Sequence, residues 1–113
     1  MAYERLVRKL TVEVLWLYIA RALMERPMYG YEVAKELKSM FNLSPARITV
    51  YTVLYRMERE GLLKSEYHGG APGMLWRRYY KLTEKGLEAF RKAEGFLRDT
   101  LKALFGEGVA REA

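Results

Sequence analysis

The sequence lacks cysteine and glutamine and has a single histidine among its 113 residues. The absence of cysteine excludes disulfide frameworks, thiol catalysis and cysteine-based zinc sites. One histidine, His68, cannot build a multi-histidine metal site. The longest apolar run, 14–20, has seven residues, whereas a membrane-spanning helix needs roughly 20. Because no secretory leader is recognisable, we expect a cytoplasmic protein that uses no metal or cofactor and does not bind a membrane.

Amide side chains are scarce, whereas charged side chains are abundant. The chain has 20 Lys or Arg and 14 Asp or Glu residues, but only one asparagine, Asn42. Depletion of thermolabile amides with enrichment in ionic residues is typical of hyperthermophile proteins, so we expect a thermophilic source.

The net charge of +6 is concentrated in the middle of the chain. Residues 44–82 carry seven basic and three acidic side chains, whereas residues 83–113 carry six of each. A localised basic segment favours a polyanionic partner, with nucleic acid first and an anionic membrane surface second.

Three helices are predicted in the first half of the chain. Helix-tolerant residues with apolar positions at helical spacing predict one helix over 5–25. A second helix follows Gly30. Ser44 is a good N-cap and Pro45 suits a first helical position, so we expect the third helix to start there and run to Glu60.

The second half predicts a hairpin and one long helix. Residues 63–67 and 75–82 are short stretches rich in aromatic and aliphatic side chains, and residues 68–73 between them have the composition of a turn. Thr83 is a good N-cap for a helix that continues to about Phe105. The predicted fold class is mainly α (α+β), a winged helix-turn-helix with an N-terminal helix and a long C-terminal helix. We expect residues 1–82 to bind DNA and residues 83–113 to form the dimerisation helix and tail of one compact unit.

The third helix carries the pattern of a recognition helix. Its projection places apolar residues on one side and Thr52, Tyr55 and Arg59 on the other. Arginine can pair with guanine, and Thr or Tyr can bond base edges or phosphates. A plain solvated helix face fits the periodicity equally well, but the neighbouring hairpin is also basic. The predicted DNA-binding residues are Tyr29, Tyr31, Arg47, Thr49, Thr52, Tyr55, Arg56, Arg59, Lys64, Arg77 and Arg78.

Arg77 and Arg78 are neighbours on a predicted strand, so their side chains point to opposite faces. Only one of the two is therefore expected to reach DNA. The other can pair with an acidic residue such as Glu66. His68 at the start of the turn is either a phosphate contact or an ordinary exposed histidine.

Two further groups of side chains are candidates for partner and ligand contacts. The last predicted helix is about 33 Å long, too long for a domain of this size to cover, so its apolar stripe is expected to pack on a second chain. Trp16 and Trp76 are either core residues or a stacking site for a small aromatic effector. The predicted dimerisation residues are Leu6, Leu10, Leu87, Phe90, Leu97, Leu101 and Leu104.

Catalytic motifs are not evident. We find no Ser–His–Asp set that the pattern brings together and no glycine-rich phosphate loop after a strand. The carboxylates lie on helical faces next to Lys or Arg, as in ordinary ion pairing. We therefore expect no enzymatic activity.

Three sequence motifs resemble the PadR-like transcriptional regulators. The stretches MYGYE at 28–32 and TVY at 49–51 are similar to that family's helix-turn-helix, and RRYYKLTEKG at 77–86 resembles its wing-to-helix signature. The similarity covers about residues 14–105. It implies a winged-helix repressor that dimerises through its C-terminal helix, with help from the N-terminal one. It also implies binding to (pseudo)palindromic promoter DNA and, in some members, release by a small aromatic ligand.

Three functional hypotheses are compatible with these observations. The first is a homodimeric, sequence-specific repressor that binds double-stranded DNA. The second is an architectural or partner-docking winged helix with nonspecific DNA binding. The third, a protein of anionic membrane surfaces, requires a basic amphipathic helix, and the charge-balanced C-terminal segment argues against it.

Overall fold

The computed structural model describes residues 1–70, 72 and 76–106. Helices α3 (Gly30–Phe41) and α4 (Arg47–Arg59) form a helix-turn-helix, and the hairpin of β2 (Leu63–His68) and β3 (Arg77–Leu82) is its wing, so the predicted fold class is confirmed. The remaining wing residues and the tail after residue 106 lie outside the described residues. The elements are α1 (Ala2–Lys9), α2 (Leu15–Leu23), β1 (Met28–Tyr29), α3 (Gly30–Phe41), α4 (Arg47–Arg59), β2 (Leu63–His68), β3 (Arg77–Leu82) and α5 (Glu84–Phe105).

The single helix predicted over 5–25 is wrong, because a break and a short 3-10 turn separate α1 from α2. The Thr11 hydroxyl donates to the Val7 carbonyl (2.7 Å), and the Tyr18 hydroxyl donates to the Leu10 carbonyl (2.6 Å). In a continuous helix these carbonyl groups would accept backbone N–H bonds, and here side-chain hydroxyls bond to them instead. The β-branched residues at this point are also poor helix formers. Helix α1, on the far side of the break, contains no buried residue.

The connector of the helix-turn-helix extends further than predicted, because α4 begins two residues after Pro45. Asn42 closes α3 in the left-handed conformation (φ 56°), and the Leu43 N–H donates to the Leu37 carbonyl at 3.1 Å. Leu43 then packs against the core. The backbone at Ala46 is extended (ψ 146°), so α4 begins at Arg47 without a side-chain cap and not at the proline two residues earlier.

The hairpin is part of a three-stranded antiparallel sheet with the order β1–β3–β2. Strand β1 was not predicted, because two residues give no periodicity that a sequence pattern could reveal. Its register pairs Met28 with Tyr80 and Tyr29 with Tyr79. Strand β3 begins at Arg77, whereas the sequence predicted a start at Leu75, which lies outside the described residues.

The hydrophobic core lies between α2, α3, α4 and the inner face of the sheet. Each of these elements contributes side chains that are at most a few per cent exposed. Their burial is the main source of stability, at roughly 1.5–3 kcal/mol for each large side chain. The largest fully buried members are Ile19, Met28, Val33, Leu37, Val50 and Leu54.

Helix α5 begins as predicted and leaves the body of the molecule. The Thr83 hydroxyl accepts a bond from the Gly86 N–H at 3.0 Å and donates to the Gly61 carbonyl at 2.6 Å. Gly86 is the one residue of α5 that is fully buried. The molecule measures 66 × 29 × 21 Å. The apolar stripe of this 22-residue helix is therefore largely uncovered within the chain.

Candidate nucleic-acid interface

Aromatic and basic side chains form one cluster where the amino end of α3 meets the wing. The Tyr29 ring stacks on Tyr31 (centroids 6.4 Å apart) and meets the edge of Tyr79 (5.4 Å). The Arg77 guanidinium lies 4.7 Å from the Tyr29 centroid, and the Lys35 ammonium lies 5.6 Å from that of Tyr31. Cations over ring faces are held in place without losing their charge. We call Tyr29, Tyr31, Lys35, Arg77 and Tyr79 the aromatic–basic patch.

Local sequence signals fix this patch in position. Pairing of β1 with β3 sets Tyr29 opposite Tyr79, on the face of the sheet away from the core. The Glu32 carboxylate accepts the Tyr29 backbone N–H at 3.2 Å, and Arg26 donates to the other Glu32 oxygen at 3.2 Å. These bonds satisfy an amide at the start of α3, where a carboxylate is also favoured by the helix dipole.

One residue of this region, Tyr51, was missed by the sequence-based prediction. Its ring lies against Gly30, the first residue of α3, and it is 40% exposed. Arg47 and Tyr55 are four residues away on either side along α4, so the three side chains share one row of the helix. The spacing of four was the signal that could have found Tyr51.

The exposed front of α4 carries other predicted residues. Tyr55 is 54% exposed, and the Arg59 guanidinium lies 5.7 Å from its ring centroid. The Thr52 hydroxyl donates to the Ile48 carbonyl at 2.7 Å, which leaves its oxygen as an acceptor. These side chains face away from the buried residues of the same helix.

The other flank of α4 lines a cavity of about 730 Å³. Here Thr49, Thr52 and Arg56 lie with Trp16, which belongs to α2 and is half-buried. Thr49 and Arg56 are thus brought together with Trp16 and lie on the flank of α4 opposite to Tyr51. Trp76 is 64% exposed at the turn end of the wing and is not among the described residues that line this cavity.

The outer face of the wing is basic. Lys64 and Lys81 are direct cross-strand partners, and alternation places Arg77 on the same face. Like charges directly opposite each other on a sheet are destabilising, and a polyanion bound there would relieve the repulsion. This face adjoins the aromatic–basic patch through Arg77, which belongs to both.

The partner predicted for the second wing arginine is corrected by the structure. Arg78 is half-buried and pairs with Glu58 of α4 at 2.6 Å. Glu66 lies on the outer face of the strand, beside His68 (3.4 Å), because residues two apart on a strand share a face. The neighbouring Tyr80 is 6% exposed. Burial raises the pKa of its hydroxyl above the ordinary value, although Arg78 acts in the opposite direction.

The predicted dimerisation residues lie in part on surfaces that this chain does not cover, but Phe90 packs against the hydrophobic core of its own chain. Leu6 and Leu10 are exposed on and just after α1. Leu101 and Leu104 of α5 are 57% and 61% exposed. Leu87, Phe90 and Leu97 are half-buried on the same helix.

Other classes of site find no support among the described residues. In 1–70, 72 and 76–106, no three His, Cys, Asp or Glu side chains are close enough to hold a metal ion. In the same part of the chain, no helix is long and apolar enough to cross a membrane.

Comparison with known proteins identifies the family. A family model described as "Transcriptional regulator PadR-like family" matches residues 19–92. The chain belongs to the PadR-like family. The resemblance of its sequence motifs is thereby confirmed, and its fold agrees with solved PadR-like structures.

Three individual proteins illustrate the relationship. A PadR-like transcription factor of Bacteroides fragilis superposes with a TM-score of 0.74 at 26% identity, covering 92% of this chain and 96% of that one. Bacillus subtilis PadR, solved in complex with operator DNA, gives 0.61 at 22% identity over 70% of this chain and 45% of its own. An uncharacterized protein of Lysinibacillus sphaericus is 31% identical over 70 residues, or 60% of this chain. The PadR-like chain described here spans 63% of the length of that relative.

Proposed function

We propose that this PadR-like regulator is a homodimer that binds a (pseudo)palindromic DNA operator in a sequence-specific manner and represses transcription. The observation that carries the proposal is the continuity of three surfaces. The aromatic–basic patch adjoins the row of Arg47, Tyr51 and Tyr55 on α4 through the contact of Tyr51 with Gly30. It adjoins the basic outer face of the wing through Arg77. Major-groove reading by one helix, with backbone contacts on either side, requires such an arrangement.

The side chains of these surfaces suit different kinds of DNA contact. Arg47 and Arg59 are long cations on the exposed side of α4 and can pair with guanine. Tyrosine hydroxyls and Arg77 in the patch can bond phosphate oxygens, which fixes the register of the protein on the duplex. Lys64 and Lys81 add positive charge that attracts DNA without fixing its orientation. The solved complex of Bacillus subtilis PadR with operator DNA supports this use of the fold.

Homodimerisation is supported by the uncovered stripe of α5. Large apolar side chains such as Leu101, Leu104 and Phe105 are more than half exposed. Burying them on a second copy would contribute roughly 25 cal/mol for each Å² of apolar surface removed from water. A two-fold dimer also presents two α4 helices to the two half-sites of a palindrome.

A second candidate function is regulation by a small aromatic ligand, and the cavity beside Trp16 favours it. A cavity of about 730 Å³ has the size of a small-molecule site. Trp16 offers a flat apolar wall, and the charged lining is mixed, with Arg56 as a cation and two glutamates as anions. Because Thr49, Thr52 and Arg56 belong to α4, a ligand that fills the cavity would act directly on the position of the recognition helix. Ligand binding and DNA binding would then be coupled.

Selection of bound duplexes from a random pool tests the main proposal. We expect a palindromic consensus whose affinity exceeds that for random DNA by about 10³ or more. The logarithm of the affinity should fall with the logarithm of salt concentration by about 0.9 for each neutralised phosphate. Equal, weak affinity for every duplex would contradict the proposal and favour the architectural or partner-docking module.

Repression and ligand response need separate tests. In vitro transcription from a promoter that carries the selected operator should decrease as protein is added, and an increase would show an activator. For the ligand, tryptophan fluorescence is titrated with planar aromatic compounds in the variants Trp16→Phe and Trp76→Phe. We expect the response to be lost in the first variant and kept in the second. A response that follows Trp76 would move the ligand site to the wing.

A further inference from the structure

The two neighbouring arginines of the wing lie in different environments. Alternation along β3 places Arg78 with Tyr80 and its cross-strand partner Tyr67 on the inner face, and Arg77 on the outer face. The Arg78 guanidinium lies 5.8 Å from the Tyr67 centroid and 5.6 Å from that of Tyr80. Arg77 contacts the Tyr29 ring and has no carboxylate within ion-pair distance among the described residues.

Arg78 belongs to a closed ring of hydrogen bonds with Glu58 and Ser65. Its Nη2 donates to Glu58 Oε1 at 2.6 Å, and its Nε donates to Ser65 Oγ at 2.8 Å. The Ser65 hydroxyl in turn donates to Glu58 Oε2 at 2.6 Å. All three side chains are half-buried, with Glu58 26% and Arg78 40% exposed. We call these three residues the wing brace.

The wing brace connects three elements of the fold. Glu58 lies in the last turn of α4, Ser65 in β2 and Arg78 in β3, so one ring of bonds connects the recognition helix to both strands of the wing. The backbone link between α4 and β2 is short and passes through Gly61 in a left-handed conformation (φ 81°). The base of the hairpin is also held by the pairing of β3 with β1 and by the buried Tyr80, so the wing brace acts on the part of the hairpin beyond that pairing.

The charges also decide which arginine is available for DNA. The Glu58 carboxylate neutralises Arg78 and, together with Ser65, occupies two of its five N–H donors, so Arg78 offers a phosphate less net charge and fewer free donors than Arg77. Arg77 keeps its full charge on the outer face. Stacking on Tyr29 orients its guanidinium without using any of its five donors.

We propose that the wing brace sets the angle between recognition helix and wing, so that Arg78 is a positioning residue for DNA binding and Arg77 is the phosphate contact. The inference rests on the proposed DNA-binding function. It predicts that loss of Glu58 weakens specific binding, although removal of a negative charge near DNA would by itself strengthen it.

DNA binding by matched variants provides the first test, with the duplex selected above and random DNA at several salt concentrations. Arg78→Met and Glu58→Gln should each lower operator affinity by about tenfold, the equivalent of one charge-assisted hydrogen bond, with an unchanged salt slope. Their combination should be no worse than either alone. Arg77→Met should weaken operator and random DNA alike and make the slope shallower by about 0.9. A shallower slope in Arg78→Met but not in Arg77→Met would overturn the assignment.

Amide hydrogen exchange of the free protein tests the wing brace without DNA. Glu58→Gln, Ser65→Ala and Arg78→Met should speed exchange in β2 and β3 while exchange in α2 and α3 stays at the wild-type rate. Arg78→Lys, which keeps the charge pair, should restore much of the protection, and Arg77→Met should leave it intact. Unchanged wing protection in all three brace variants would overturn the inference. If the wild-type chain prefers no duplex, the proposed function fails and the DNA role of the wing brace fails with it, whatever the exchange shows.

Discussion

The Tyr51 ring occupies the space beside Gly30 in which any other residue would place its Cβ atom. Gly30 is the buried first residue of α3, and Tyr51 lies on the second turn of α4. The two helices of the helix-turn-helix therefore meet here with no side chain from α3 between them. This contact brings the Tyr51 hydroxyl next to the aromatic–basic patch and joins the surfaces on which the proposed function depends.

Replacing Gly30 with Ala should displace Tyr51. The added methyl group would overlap the ring tip, which can turn toward solvent because the side chain is 40% exposed. We expect the free energy of unfolding to change by no more than about 1 kcal/mol, since the ring moves and the core does not. Operator affinity should fall by about tenfold, a larger effect than that on stability, because the ring leaves the interface. Urea denaturation and titration of labelled operator measure the two effects.

A second variant separates the ring position from its hydroxyl. Tyr51→Phe keeps the ring beside Gly30 and removes only the polar group. If the hydroxyl contacts DNA, this variant should weaken binding with unchanged stability. Wild-type affinity in both Gly30→Ala and Tyr51→Phe would exclude Tyr51 from the interface.

Gly95 is a site at which α5 can be stabilised. It lies in the middle of the helix, and a Cβ atom there would meet nothing within 4 Å. On the helical projection it lies opposite the apolar stripe. Gly95→Ala should therefore raise the free energy of unfolding by about 0.5–1 kcal/mol through lower backbone entropy in the unfolded chain. A loss of stability in urea denaturation would show that a second chain approaches this face of α5.

Much of the fold could be predicted because its signals are local. Thr83 caps α5 and Asn42 closes α3, as each residue's own hydrogen-bonding and backbone preferences require. The break between α1 and α2 could not be predicted in this way. The local Thr11 bond to the Val7 carbonyl is accompanied there by the bond of the Tyr18 hydroxyl to the Leu10 carbonyl, a contact that exists only once the chain has folded back.

The candidate site was predictable to a lesser degree, because it depends on which elements become neighbours. Alternation correctly separated Arg77 from Arg78, but only the sheet register shows which face packs on α4. Thr49 and Arg56 were likewise predicted to bind DNA from the flanks of the exposed front of α4. Helical projection could not show that Trp16 and the cavity lie along that flank.

Acidic substitutions on the stripe of α5 should dissociate the proposed dimer. Leu101→Glu combined with Leu104→Glu places two charges where two exposed apolar side chains are expected to be buried. Sedimentation should shift from dimer to monomer, and operator affinity should fall because a monomer holds only one half-site. Lys92→Glu on the opposite face of the helix is the matched control and should stay dimeric. An unchanged sedimentation profile in the double variant would move the dimer interface away from this stripe.

Tyr80 should give the protein a pH-dependent loss of stability in alkali. Burial, which Arg78 partly offsets, raises the pKa of this hydroxyl in the folded chain. Above the unfolded value of about 10, the unfolded state releases a proton that the folded state retains, so its free energy falls and stability decreases as the pH rises. Below that pH the contribution is fully present.

Tyr80→Phe has no such proton, and its unfolding free energy should decline less than that of the wild type between about pH 9 and pH 11. Tyr3→Phe is the matched control, because Tyr3 is 72% exposed and the loss of its hydroxyl changes no buried group. Parallel pH profiles for wild type and Tyr80→Phe in urea denaturation would show that the hydroxyl titrates alike in both states.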